Sequence, residues 1–233
     1  MRLHRFYISV PILDDNFDIS DKDLVHQWKK VFRYNVGSQV ILFDGLGTDF
    51  LCIITRLATF GATVSILKKT KAQSLVKRGV WLCPSLIKKD NFDLVVQKAT
   101  ELGVSTVIPI LSTHSEKKKI NLERLKKISI ESSEQSGRIN IPIIHDVVSL
   151  KDIFDSGILP QQKIALDPIG VPFHNYVDTM PAGSVAIFVG PEGGFEKSEI
   201  EFFRSFNVPI LSLGDQILRA ETASIASASL LLL

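Results

Sequence analysis

Two stretches hold residue types at a spacing that could do chemistry. The first is Gly190-Pro191-Glu192-Gly193-Gly194, placed directly after the apolar run Val185-Ala186-Ile187-Phe188-Val189. The second, Gly214-Asp215-Gln216-Ile217-Leu218-Arg219-Ala220-Glu221-Thr222-Ala223-Ser224, follows Pro209-Ile210-Leu211-Ser212-Leu213. Glycine lets the chain take φ > 0 and lets a ligand approach the backbone. Beyond the carboxyl ends of strands in open α/β sheets, such loops leave a crevice with free backbone groups. The first loop is not a phosphate cradle, because no Gly-Lys-Ser/Thr follows, and it is not a dinucleotide fingerprint. Taken alone it reads as a tight turn. Two glycine loops after two neighbouring strands read as a ligand site.

The elements that must position these loops follow from periodicity. Five apolar residues at 185–189 suit a strand buried on both faces, and 196–206 carries Ile200, Phe203 and Phe206 at helical spacing. Upstream, 79–86 reads as a strand, 91–102 as a helix and 104–111 as a strand, with Gly103 as the residue past the helix end. Strand, helix, strand is a βαβ unit. It continues through a helix at 121–136 and strands at 141–144 and 164–167, so this part is α/β with a mainly parallel sheet. The first seventy residues differ. A strand at 3–9, a helix at 21–34 ended by Gly37, and strands at 40–43, 50–54 and 62–67 suggest a small barrel, a type that commonly binds RNA. The polar, aperiodic stretch 68–74 separates the two, giving domains 1–70 and 71–233.

With 233 residues there is ample core for either domain. Two cysteines, Cys52 and Cys83, cannot make a disulfide framework, and residues 1–10 lack a charged-then-apolar leader. The expectation is a soluble protein of a reducing compartment, the cytoplasm, with no membrane span. His4, His26, His114, His145 and His174 are scattered without paired ligand spacing, so no metal is expected. Charge is uneven. Residues 71–150 hold thirteen Lys/Arg against eight Asp/Glu, net +5, and residues 151–233 hold five against ten, net −5. This suggests an anionic partner for the first two thirds, although solvated lysine faces explain it equally. Arg5, Lys29, Lys30 and Arg33 are the candidates for phosphate contact, with the same plain alternative.

The two glycine loops resemble the cofactor motifs of the SPOUT class of methyltransferases, and the match is to the RsmE family. It runs along nearly the whole chain: His4-Arg5-Phe6-Tyr7, Val96-Gln97-Lys98-Ala99-Thr100-Glu101-Leu102-Gly103, Glu134-Gln135-Ser136-Gly137-Arg138, then 190–195 and 213–223. Gln216 and Ala220 depart from the family's usual Arg and Thr. The resemblance implies a PUA-like N-terminal barrel, a C-terminal SPOUT α/β domain closed by a trefoil knot, and a homodimer. It also implies methylation of N3 of a uridine in small-subunit ribosomal RNA, free or in the assembled subunit, with S-adenosylmethionine as donor. It carries cofactor binding to Gly190, Glu192, Gly193, Gly194, Leu213, Gly214, Ile217, Leu218, Arg219, Glu221, Thr222 and Ala223, with Leu166 added at the end of an earlier strand. The donor holds no phosphate, so its pocket needs backbone groups and apolar contacts rather than a lysine.

Uridine N3 is poorly nucleophilic until its proton leaves, and an arginine fork at the ring oxygens would stabilise the resulting anion. Arg138 is the first candidate, although a cation at a helix end is the competing explanation. Arg219 and Glu221 come next, Glu221 as a proton acceptor. Two alternatives stay open at this level: a non-enzymatic RNA-binding adaptor and a ribose methyltransferase of the same superfamily.

Overall fold

The computed structural model describes residues 3–9, 12, 14–71, 79–115, 119–177 and 179–233. The chain makes two compact units, one of Met1–Gln73 with Ser133–Ile141, the other of Ser74–Ser132 with Pro142–Leu233. The return of 133–141 to the first unit has no counterpart in the sequence reading.

The first unit is a five-stranded sheet with one helix. Its strands are β1 (Arg5–Tyr7), β2 (Asn16–Ile19), β3 (Gln39–Phe43), β4 (Thr48–Leu57) and β5 (Ala62–Lys71), ordered β1-β3-β4-β5-β2. β1 runs parallel to β3 and the other pairs are antiparallel. Strands β1 and β2 are edges that do not pair with each other, so the expected barrel is not closed among the described residues. Helix α1 (Lys22–Lys30) starts because the Asp21 carboxylate accepts from the backbone N–H of Asp23 and Leu24, each at 3.0 Å. It buries Leu24, Val25 and Trp28 against Phe6, Val40, Leu42 and Ile54. It stops at Lys30 rather than running to Tyr34. Arg33 takes a left-handed φ of 55° and Tyr34 N–H donates to the Trp28 carbonyl at 2.9 Å, which turns the chain before Gly37 is reached.

The second unit is a three-layer α/β/α arrangement. Its elements in order are β6 (Val80–Pro84), α2 (Lys89–Leu102), β7 (Thr106–Val107), β8 (Ile110–Leu111), α3 (Leu122–Ser136), β9 (Ile143–Ile144), β10 (Val148–Ser149), α4 (Leu150–Asp155), β11 (Gln162–Pro172), α5 (Phe173–Val177), β12 (Val185–Val189), α6 (Lys197–Ser205), β13 (Ile210–Ser212) and α7 (Ala220–Leu232). The final turn of α3 belongs to the first unit. The main sheet, ordered β13-β11-β12-β6-β7-β9, is parallel throughout. The expected strand at 104–111 is two short ones in different sheets: Pro109 between them has no N–H to continue a ladder, and β8 pairs with β10.

Alternation places this core. Val80, Leu82, Ile164, Leu166, Val185, Ile187 and Val189 face one layer with Phe92, Val95 and Val96 of α2. Cys83, Ala165, Ala186 and Phe188 face the other with Ile153 of α4 and Ile200 and Phe203 of α6. The two-sided burial of 185–189 is the reason it carries no polar residue. Gly103 ends α2 in the left-handed region, at φ 105°, as its position suggests.

β11 bulges between Leu166 and Val171 where it pairs with β13. Gly170 makes this possible, since a Cβ there would lie 2.5 Å from the Leu211 carbonyl carbon and 2.6 Å from the Ile210 carbonyl carbon and oxygen. Both neighbours are backbone, so they cannot swing aside. Gly170→Ala is expected to destabilise the protein by about 1–3 kcal/mol, the usual cost of overpacking, read as a lower denaturant midpoint at unchanged m-value.

Candidate cofactor cleft and arginine cluster

Because β11, β12 and β13 are parallel, the loops that follow them lie at one end of the sheet. Together they enclose a cleft of about 330 Å³, within the range of about 300–1,000 Å³ usual for small-molecule sites. Leu166, Gly190, Glu192, Gly193 and Gly194 line it, as do Leu213, Gly214, Ile217, Leu218 and Ala223. Of the other residues expected there, Arg219 is exposed at the N-cap of α7, Thr222 is exposed, and Glu221 is buried; none of the three lines the cleft. Gln216 and Ala220, the two departures from the family pattern, do line it. Asp167 and Pro168 were missed. They enter through the β11 bulge, which the sequence signals only as Asp-Pro-Ile-Gly.

The loop after β12 is built tightly. Gly194 N–H donates to the Pro191 carbonyl at 2.9 Å, closing a turn, and Gly194 has φ 72°. Gly193, expected to share that role, is not left-handed; it is glycine for want of space, since a Cβ would meet the His114 Cβ at 3.2 Å. At Gly190 a Cβ would sit 3.1 Å from the Phe195 nitrogen. Glu199, buried in the first turn of α6, accepts from the Glu196 N–H at 2.8 Å and the Thr113 N–H at 2.9 Å. It thereby fixes where the loop enters the helix. In the second loop Gly214 has φ 138°, and its carbonyl accepts from the Ser212 hydroxyl at 2.9 Å.

The donor set has a definite charge character. Among the described lining residues Asp167 and Glu192 are the charged ones, and there is no lysine or arginine. A phosphate would find no cation here. A cationic, phosphate-free ligand such as S-adenosylmethionine fits, with free backbone groups for its polar edges and Leu166, Leu213 and Ile217 for its apolar faces. On α7, Glu221 Oε2 is buried and has no hydrogen-bond partner among the described residues, and the same holds for Ser85 Oγ beyond β6. Among the described residues no group of His, Cys, Asp and Glu could hold a metal, and no helix is long and apolar enough to cross a membrane.

The first unit holds a second cluster. Arg5, expected to contact phosphate, is an internal strut. Its guanidinium pairs with Asp49 at 2.6 Å and donates to the carbonyls of Ser133 at 3.1 Å and Arg138 at 3.2 Å. It also lies over the Phe43 ring, 4.6 Å from the centroid, with its side chain only 7% exposed. Tyr7 N–H donates to Glu134 Oε1 at 2.8 Å, and Ile141 N–H to the Gly45 carbonyl at 3.3 Å. Two of the five motifs, 4–7 and 134–138, therefore hold each other. Burial pulls the Arg138 guanidinium down to about 10, which leaves it cationic at neutral pH. Lys30 and Arg33 are exposed and Lys29 half-buried. Cys52 and Cys83 are free thiols made unreactive by burial, Cys52 being pushed up to about 12.

Comparison with known proteins agrees with this geometry. Residues 75–232 match the family described as RNA methyltransferase domain. The chain is 30% identical over 232 residues to ribosomal RNA small subunit methyltransferase E of Rickettsia conorii, covering 97% of this chain and 94% of that one. A solved structure of ribosomal RNA small subunit methyltransferase E from Neisseria gonorrhoeae, bound to S-adenosylmethionine, superposes with a TM-score of 0.87 at 26% identity, covering 98% of this chain and 96% of that one. A methyltransferase from Legionella pneumophila, solved with S-adenosylmethionine, gives 0.87 at 28% identity, covering 99% and 97%.

Proposed function

We propose, on the premise that this chain belongs to the RNA methyltransferase family of ribosomal RNA small subunit methyltransferase E, that it methylates N3 of a uridine in small-subunit ribosomal RNA. The observation that carries the proposal is the cleft: two glycine loops, two carboxylates and no cation. S-adenosylmethionine, when bound, supplies a methyl group activated by its sulfonium. Backbone groups of 190–194 and 213–218 take its polar edges, and Asp167 or Glu192 faces its positive charge. Arg138 stabilises the uridine anion, a role suited to a guanidinium drawn out of water, where charge acts strongly. Glu221, whose buried Oε2 has no hydrogen-bond partner among the described residues, accepts the N3 proton. Arg219, exposed beside it, is the second cation.

The wider reading is part of the proposal. The first unit is a PUA-like RNA-binding domain. The terminal helix passes through a loop of the second unit as a trefoil knot, consistent with buried Ser224, Ser227 and Ala228 allowing α7 close to α2 and β6. The protein works as a homodimer in the cytoplasm on free RNA or the assembled subunit. The test is nucleoside mass spectrometry of ribosomal RNA from cells with and without the gene. Loss of N3-methyluridine is expected; loss of a ribose-methylated nucleoside would overturn the base assignment. Absence of calorimetric binding to S-adenosylmethionine would favour a non-enzymatic adaptor.

Lys29, Lys30 and Arg33 are proposed to neutralise phosphates without reading sequence. Replacing all three with Ala is expected to weaken RNA binding and reduce the log–log salt slope by roughly 2, from about 0.7 per phosphate on single strands. An unchanged slope in the folded variant refutes the contact.

A further inference from the structure

His114 lies in the turn after β8, where sequence reading saw only an isolated histidine. The turn is held by its own serines: Ser115 Oγ accepts from the Ser112 N–H at 3.1 Å, and the Ser115 N–H donates to the Ser112 carbonyl at 3.1 Å. From it Thr113 N–H reaches Glu199, and the His114 ring reaches the loop of the cleft. Ring Nδ1 is 3.2 Å from the Gly194 carbonyl oxygen and Nε2 is 3.1 Å from Glu196 Oε2. Both facing atoms are acceptors. The two ring nitrogens therefore bridge the turn of the 190–194 loop and the first residue before α6.

We propose that His114 is a positioning residue for the cofactor site: its ring ties Gly194 to Glu196 and holds the 190–194 loop in its binding shape. This rests on the reading that the cleft takes S-adenosylmethionine.

The experiment uses the full chain with S-adenosylmethionine as probe. Calorimetric affinity is measured for the native protein, H114A and H114R, and hydrogen exchange of 190–196 is followed without cofactor. H114A is expected to bind about tenfold more weakly, the scale of one charge-assisted hydrogen bond, with faster exchange in the loop. H114R, which offers donors to both acceptors, is expected to retain most of the affinity and the slow exchange. Native affinity in H114A, or unchanged loop exchange, would overturn the proposal. If H114A does not fold, E196Q carries the test, because removing the carboxylate from the ring contact must weaken binding and speed loop exchange, and unaltered values refute it. Faster loop exchange in H114A together with no binding by the native protein would uphold the tie and sink the cofactor reading instead.

Discussion

Gly193→Val abolishes S-adenosylmethionine binding while leaving the protein folded. The Cβ it adds would stand 3.2 Å from the Cβ of His114 and 3.4 Å from its Cγ and Nδ1, tighter than side chains normally approach. Two further methyls must go somewhere. Toward His114 they push the ring off Gly194 and Glu196; away from it they enter the cleft that Gly193 lines. Both directions cost binding, and neither touches the layers of the core. Backbone strain is not part of the cause, since Gly193 is not left-handed. Gly193→Ala, with one carbon instead of three, should lose only part of the affinity. Calorimetry beside a melting curve checks this, and native affinity in the valine variant would refute it.

Arg138→Ala slows single-turnover methylation by on the order of 10² to 10³, the range for loss of a preorganised donor to an oxyanion, with cofactor affinity unchanged. A structural explanation for Arg138 is separable. The bonds that tie this residue to Arg5 use its backbone carbonyl, which alanine keeps. Arg138→Lys keeps the charge without the planar fork and should recover only part of the rate. Melting and turnover are to be measured on the same variants. Normal turnover in a destabilised Arg138→Ala protein would assign the side chain to structure.

These cases also mark how far sequence reading reached. The run 185–189 was legible because burial on both faces excludes polar residues, and the ends of β12 and β13 were legible because glycine followed each. Lining positions such as Gly190, Leu213 and Ile217 came with them. Arg5 was misread because an arginine neutralised inside a unit has the same letter as one facing solvent; its partners Ser133 and Arg138 lie more than a hundred positions away. Gly193 and Gly194 look alike in sequence, yet one serves space and the other φ. Gly170 gave no local sign, since its constraint comes from the backbone of β13. His114 was invisible for the same reason: both its partners lie beyond residue 190.

The return of 133–141 to the first unit sets an order in time as well as in space. All five strands of that unit have been synthesised once residue 71 has been added, but the acceptors for Arg5 and Tyr7 at Ser133, Glu134 and Arg138 are still unwritten. The chain must first be extended through α2 and all of α3. During that interval the buried arginine has Asp49 and the Phe43 ring as finished partners, and the nascent β1 edge stands open to other strands. The part of the protein that begins first is therefore obliged to wait for the middle of the message, and translation speed across that stretch governs how long the edge stays unguarded.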